Sequence, residues 1–143
     1  MNDDTPIYAF HGPFRFLSNF YPFPILWEGV QWPSTEYAYQ AAKTIDPACR
    51  ESIRRASTPG DAKRLGGKVP IREDWERIKL DVMLELLFLK FAGTELEPPL
   101  LDTYPHTLIE GNTWNDTFWG ICRGRGENHL GRLLMQVRQE LRE

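Results

Sequence analysis

The sequence predicts a mainly α-helical single domain with a small antiparallel β element, on three observations. Apolar residues recur at helical spacing through most of the chain, two short aromatic and branched runs flank a Glu-Gly pair near its start, and no repeat or composition shift divides its 143 residues. A chain of that length fits one core.

Ile7 to Phe10 reads as a short strand, and Ile25-Leu26-Trp27, Glu28-Gly29 and Val30-Gln31-Trp32 read as a hairpin with a glycine turn. Ser34, after the closing Pro33, is placed to cap a helix that runs to Lys43, with Thr35 and Glu36 in its first turn. Two further helices are predicted, from Pro47 to Ala56 and from Pro59-Gly60 to a stop at Gly66-Gly67. The longest runs from Asp74 to Phe91, with Trp75, Ile78, Val82, Leu86 and Leu89 on one stripe and Arg77, Asp81 and Glu85 on another. Glu97-Pro98-Pro99 is expected to break the chain before a helical turn at Leu100-Leu101, and Thr107 to Glu110 to form a strand. Asn128 is expected to cap a last helix that docks by Leu130, Leu133, Leu134, Val137 and Leu141, with Arg132, Gln136, Arg138 and Arg142 elsewhere.

Composition narrows the function. A net charge of −3 argues against broad adhesion to nucleic acid or anionic membranes, and leaves room for a local basic pocket that takes a small anion. Cys49 and Cys122 have no close pairing motif, which disfavours a disulfide framework or a cysteine-rich zinc site. The start, Met1-Asn2-Asp3-Asp4, is acidic with no apolar signal segment after it, and the greasiest run, Leu84 to Ala92, is interrupted by Glu85 and Lys90. The expected home is the cytoplasm, with no membrane partner. His11, His106 and His129 lack metal-ligand spacing, and Ser18 lacks a nucleophile elbow, so neither a metal enzyme nor a serine hydrolase is expected.

Three stretches carry candidate chemistry. In Thr35 to Lys43, spacings of four and seven align Glu36, Gln40 and Lys43 on one face, with Tyr37, Ala38, Ala41 and Ala42 opposite. Such a face offers a carboxylate, an amide and an amine to a cleft; the alternative is a solvated surface with two weakly interacting charges. Gly111 to Gly120 is a polar, aromatic loop in which Trp114 or Trp119 can stack on a heterocycle and Asp116 can bind a sugar hydroxyl or polarise water. Arg123 to Gly126 adds cations for an anion, and the alternative is a turn whose tryptophans plug the core. In Phe16 to Tyr21, the Ser18-Asn19 pair sits between aromatics, where Asn19 either clamps a loop or reads a ligand. Arg54, Arg55, Lys63 and Arg64 are further cations, one of which is available for a phosphate.

Taken together, Phe16-Leu17-Ser18-Asn19-Phe20, Pro33-Ser34-Thr35-Glu36, Gln40-Ala41-Ala42-Lys43, Trp75, Lys90-Phe91, Asp116, Trp119-Gly120 and Asn128-His129-Leu130-Gly131 resemble the NADAR/YbiA-like family. Leu134-Met135 and Arg138 extend the match, which runs over nearly the whole chain from Ile7. The resemblance implies a mainly helical N-glycosidase with a single-domain YbiA-like fold and no cofactor. Its substrates would be a phosphorylated N-riboside of riboflavin synthesis or an ADP-ribosylated guanine, free or attached to DNA. By the same resemblance Glu36, Lys43 and Asp116 are catalytic, with Lys43 attacking the anomeric carbon to form a Schiff base. Ser18, Asn19, Gln40, Trp75, Trp119, Gly120 and Asn128 would bind substrate. A mechanism through an oxocarbenium-like transition state, with Glu36 or Asp116 activating water, stays open beside it. Tyr37 stands where many relatives carry histidine, and Cys122 where glycine is common. A non-catalytic ADP-ribose or nucleotide-binding module is the competing function, and a protein-interaction domain ranks below both. The sequence leaves the oligomeric state open.

Overall fold

The computed structural model describes residues 5–143; residues 1–4, on which the reading of the amino terminus rests, lie outside them. The chain divides into two compact units, one of Asn19–Lys90 and one of the residues up to Ser18 together with Phe91–Glu143.

In the Asn19–Lys90 unit the hairpin forms where the sequence places it. β1 (Ile25–Trp27) pairs antiparallel with β2 (Val30–Trp32), and Trp27 faces Val30 across the turn. Glu28 and Gly29 have φ of 49° and 76°, the two left-handed residues a tight hairpin needs to match the strand twist. Ile25 and Trp27 point inward, and the Trp32 indole donates to the Trp27 carbonyl at 3.2 Å.

Four helices follow: α1 (Thr35–Ala42), α2 (Pro47–Arg54), α3 (Pro59–Gly66) and α4 (Trp75–Phe91). Pro47 and Pro59 open their helices, where a missing N–H costs nothing, and the side chains of Asp46 and Thr58 accept from the first-turn amides of Ala48 and Asp61. Ser34 departs from expectation. It holds the capping position in an extended conformation, but its hydroxyl makes no capping bond, and the Asn19 carbonyl takes the Glu36 amide at 3.0 Å instead. Nor is α1 two-faced, because all eight of its residues are buried. A helix this short is marginal alone and stands here by packing against the hairpin, α2 and α3, which Ala38, Ala41 and Ala42 admit closely.

In α4 the expected stripe is partly shifted. Trp75, Met83, Leu86 and Leu87 are buried, whereas Leu89 is 41% exposed and its neighbour Lys90 is fully buried, with its ammonium 5.8 Å from the Tyr21 ring centre. Burial penalises the charged amine and pulls the Lys90 pKa down to about 7. The folded value lies below the ordinary lysine value, so from about pH 7 to about pH 10 the unfolded chain holds a proton that the folded chain lacks. Stability contributed by Lys90 therefore rises with pH across that window, by up to about 1.4 kcal/mol per unit. Urea unfolding of wild type and Lys90→Met at pH 7, 8 and 9 should give curves that diverge with pH; parallel curves would contradict the assignment.

In the other unit, a 3₁₀ turn (Gly12–Leu17) that the sequence reading missed packs Phe16 edge-on to Phe91, with ring centres 6.5 Å apart. The expected strands Ile7 to Phe10 and Thr107 to Glu110 reduce to one parallel bridge between Ile7 and Leu108. Strand pairing falls instead to β3 (Gly111–Asn112) and β4 (Ile121–Cys122), which are parallel. Pro98 and Pro99 do not break the chain; they lie in the first turn of α5 (Glu97–Leu101), where proline needs no helical partner. The last helix, α6 (His129–Arg142), buries Leu130, Leu134 and Val137 as expected. Arg138 is also buried, against expectation, because its guanidinium donates to Thr103 Oγ1 at 2.9 Å and to the His106 carbonyl at 2.8 Å. No helix among the described residues is long and apolar enough to cross a membrane.

Candidate active site

Within the Asn19–Lys90 unit the structure gathers five of the ten predicted site residues around α1. Glu36 sits in the first turn, only 7% exposed, and the Gln40 amide one turn later donates to its Oε2 at 2.5 Å. That contact orients the Gln40 amide, since the carboxylate must face Nε2, and leaves Gln40 Oε1 buried without a partner among the described residues. The exposed charged face that competed with the cleft reading is absent. Asn19 ties its own loop to α1 through its backbone. Its carbonyl fixes the start of α1, its Nδ2 lies 3.6 Å from Met83 Sδ, and its Oδ1 is buried with no partner among the described residues.

Lys43 ends α1. The Arg72 amide donates to the Lys43 carbonyl at 2.8 Å, and Arg72 pairs with Asp74 at 2.6 Å, which pins the turn before α4 to the end of α1. That pin brings Trp75, buried at the start of α4, to 5.3 Å from the Tyr39 ring. The Lys43 ammonium lies 5.6 Å from the same ring. Partial burial lowers the Lys43 pKa; Glu36 opposes that shift, while Lys63 and Lys79 reinforce it. Glu36 and Lys43 are thus electrostatically coupled, and the amine is biased toward its neutral form. Lys63 was read only as one of four further cations, while Tyr39 and Lys79 escaped the sequence reading as members of this environment. Their signal lay in spacing alone: Tyr39 is one turn before Lys43, and Lys79 one turn after Trp75.

The remaining five predicted residues belong to the other unit. Ser18 closes the 3₁₀ turn in an extended conformation. Asp116 Oδ1 accepts from the amides of Phe118 at 3.2 Å and Trp119 at 2.9 Å, so this oxygen shapes its own loop. The Asn112 amide completes that loop by bonding the Asp116 backbone at both N–H and carbonyl. Trp119 is half-buried and stands edge-on to Phe118, with ring centres 4.9 Å apart, whereas Trp114 is exposed. Gly120 passes so close to Glu110 that an added Cβ would collide with its carbonyl.

Asn128 precedes α6 with φ of 55°, yet its side chain does not cap the helix. Its Oδ1 accepts from the Glu110 amide and its Nδ2 donates to the Leu108 carbonyl, both at 2.9 Å. With both ends of the amide engaged, its observed work is to hold the loop entrance. Asn128→Ala should cost about 1–3 kcal/mol by leaving these backbone groups unpaired. Chemical denaturation checks this, and a loss within experimental error of zero would contradict it.

Comparison with known proteins gives the family of the chain. Residues 8–142 match the family model of the NADAR domain. The chain is 43% identical to "N-glycosidase YbiA" of Escherichia coli, over 87% of this chain and 80% of that one. It is 40% identical to a riboflavin biosynthesis protein of Vibrio vulnificus, over 98% of this chain and 40% of that longer protein. Among solved structures, the NMR structure of E. coli YbiA superposes with a TM-score of 0.87 at 40% identity, covering 99% of this chain and 88% of that chain. The mainly helical fold with its small antiparallel β element is therefore the YbiA-like fold, and the chain belongs to the NADAR family.

Proposed function

We propose that this protein hydrolyses the bond between a phosphorylated ribose, or ADP-ribose, and an amine or nucleobase, through a Schiff base on Lys43. The activity class rests on family: the chain is a hydrolase of N-glycosyl compounds, like the relatives named N-glycosidase. One observation carries the mechanism. A buried carboxylate and a half-buried amine with a depressed pKa share one short helix and act on each other electrostatically.

In this reading the neutral Lys43 amine attacks C1′ of the N-riboside and the C1′–N bond breaks. The proton shed by the attacking nitrogen passes through the Glu36 carboxylate to the departing amine. The ribose ring then opens at O4′, which takes up the second lysine proton, to leave an imine between Lys43 and C1′. Water adds to the imine carbon, and collapse returns the free amine and the sugar phosphate. Trp75 and Tyr39 wall the amine, and Asn19 Oδ1 is an acceptor for a sugar hydroxyl. The reading places the protein in the cytoplasm, where free Cys49 and Cys122 are stable.

The test is mass-spectrometric detection of free amine or base from phosphorylated N-ribosides and ADP-ribosylated guanine. Release that depends on Glu36 supports the reading. Tight binding of nucleotide with the substrate intact after long incubation would sink it in favour of the binding module.

A further inference from the structure

Gln40 holds the Glu36 carboxylate, and the structure shows what holds Gln40. The last residue of α3 is Gly66, and a Cβ built on it would lie 2.0 Å from Gln40 Oε1 and 2.8 Å from both Cβ and Cδ of the same side chain. These distances are below anything packed atoms tolerate, so only a glycine lets α3 approach α1 this closely. Nor is Gly66 present to end the helix. It lies inside α3, and the residue that follows, Gly67, takes an ordinary right-handed conformation with φ of −73°. Gly60 of the same helix supplies the contrast, since a Cβ there meets nothing nearer than Thr58 Oγ1 at 3.8 Å.

We propose that Gly66 is a positioning residue for the reaction: its bare Cα is the wall against which the Gln40 side chain rests while its Nε2 donates to Glu36. The inference rests on Glu36 being the catalytic carboxylate. A methyl group at Gly66 displaces the Gln40 amide from this wall, and with it the Nε2 that holds Glu36 at 2.5 Å. The carboxylate then loses its fixed orientation while the pocket that binds substrate keeps its composition. The loss is therefore expected in kcat and not in KM.

The experiment is a double-mutant cycle on kcat and KM with Gly66→Ala, Gln40→Ala and the double variant, with Gly60→Ala as a helix control and Glu36→Gln as a test of the underlying reading. Gly66→Ala should lower kcat about tenfold or more with KM changed less than about threefold, as losing one orienting donor does elsewhere. In the Gln40→Ala background the same substitution should cost less than about threefold, because the displaced amide is gone. Gly60→Ala should match wild type. Equal losses from Gly66→Ala in both backgrounds, or no loss in either, would overturn the proposal while leaving Glu36 in place. Should Gly66→Ala alone fail to fold, a double variant that folds and matches Gln40→Ala upholds it, and one that falls well below Gln40→Ala overturns it. Full activity in Glu36→Gln instead removes the reading beneath it.

Discussion

Replacing Glu36 by glutamine is expected to lower turnover of an N-riboside by about 10²–10⁴-fold, the range that a positioned proton-transfer group supplies. The substitution is nearly isosteric, so the place of the side chain in α1 and its contact with Gln40 survive, while the capacity to accept a proton and pass it on is lost. Binding should change little, and the loss should fall on kcat. The fold should hold as well, because the Glu36 amide remains bonded to the Asn19 carbonyl and all of α1 remains buried. The electrostatic consequence is separately measurable. Glu36 is the one group that raises the Lys43 pKa against burial, Lys63 and Lys79. Neutralising it should therefore shift the Lys43 titration further down, and an unchanged Lys43 titration would contradict the coupling.

Lys43→Ala is expected to abolish the covalent route, with a loss of the same order or greater, and Lys43→Arg should not restore it because a guanidinium does not deprotonate to a nucleophile. Activity in the wild type should follow the neutral amine, so its rising limb should sit at lower pH than an ordinary lysine would give. The direction follows from the surroundings: desolvation and the two neighbouring ammonium groups outweigh the single carboxylate. A Lys43→Ala variant with full turnover would transfer the chemistry to the oxocarbenium route, with Lys43 reduced to binding.

How much of this was legible in the sequence differs by element. The hairpin was, because Glu28-Gly29 between two apolar triplets leaves little other than a two-residue turn. Helices α2 and α3 were, because their opening prolines mark where they start, and α4 was, because apolar residues recur there at helical spacing. The chemistry of α1 was legible in its residue types but its surroundings were not. Spacing places Glu36, Gln40 and Lys43 on one face, yet cannot say whether that face meets water or protein, and here the whole helix is buried. Lys90 shows the same limit in reverse, since a charged type in an apolar run reads as an interruption and is as fully buried as Leu86, Leu87 and Phe91 of α4. Asn128 and Ser34 were read as helix caps from their type. The Asn128 side chain instead bonds the Leu108 and Glu110 backbone, and at Ser34 the Asn19 carbonyl takes the Glu36 amide in place of a hydroxyl cap; these tertiary neighbours were invisible to local reasoning. Gly66 reads as a helix stop for the same reason, although what fixes its identity is a side chain 26 positions earlier.

The account turns on a covalent bond between Lys43 and the sugar. The most direct measurement is peptide mass spectrometry after borohydride is added during turnover of a phosphorylated N-riboside. The expected result is a reduced ribosyl-phosphate adduct on the peptide that contains Lys43, absent when Lys43 is alanine. Full turnover with that peptide unmodified, under conditions that reduce imines, would contradict it.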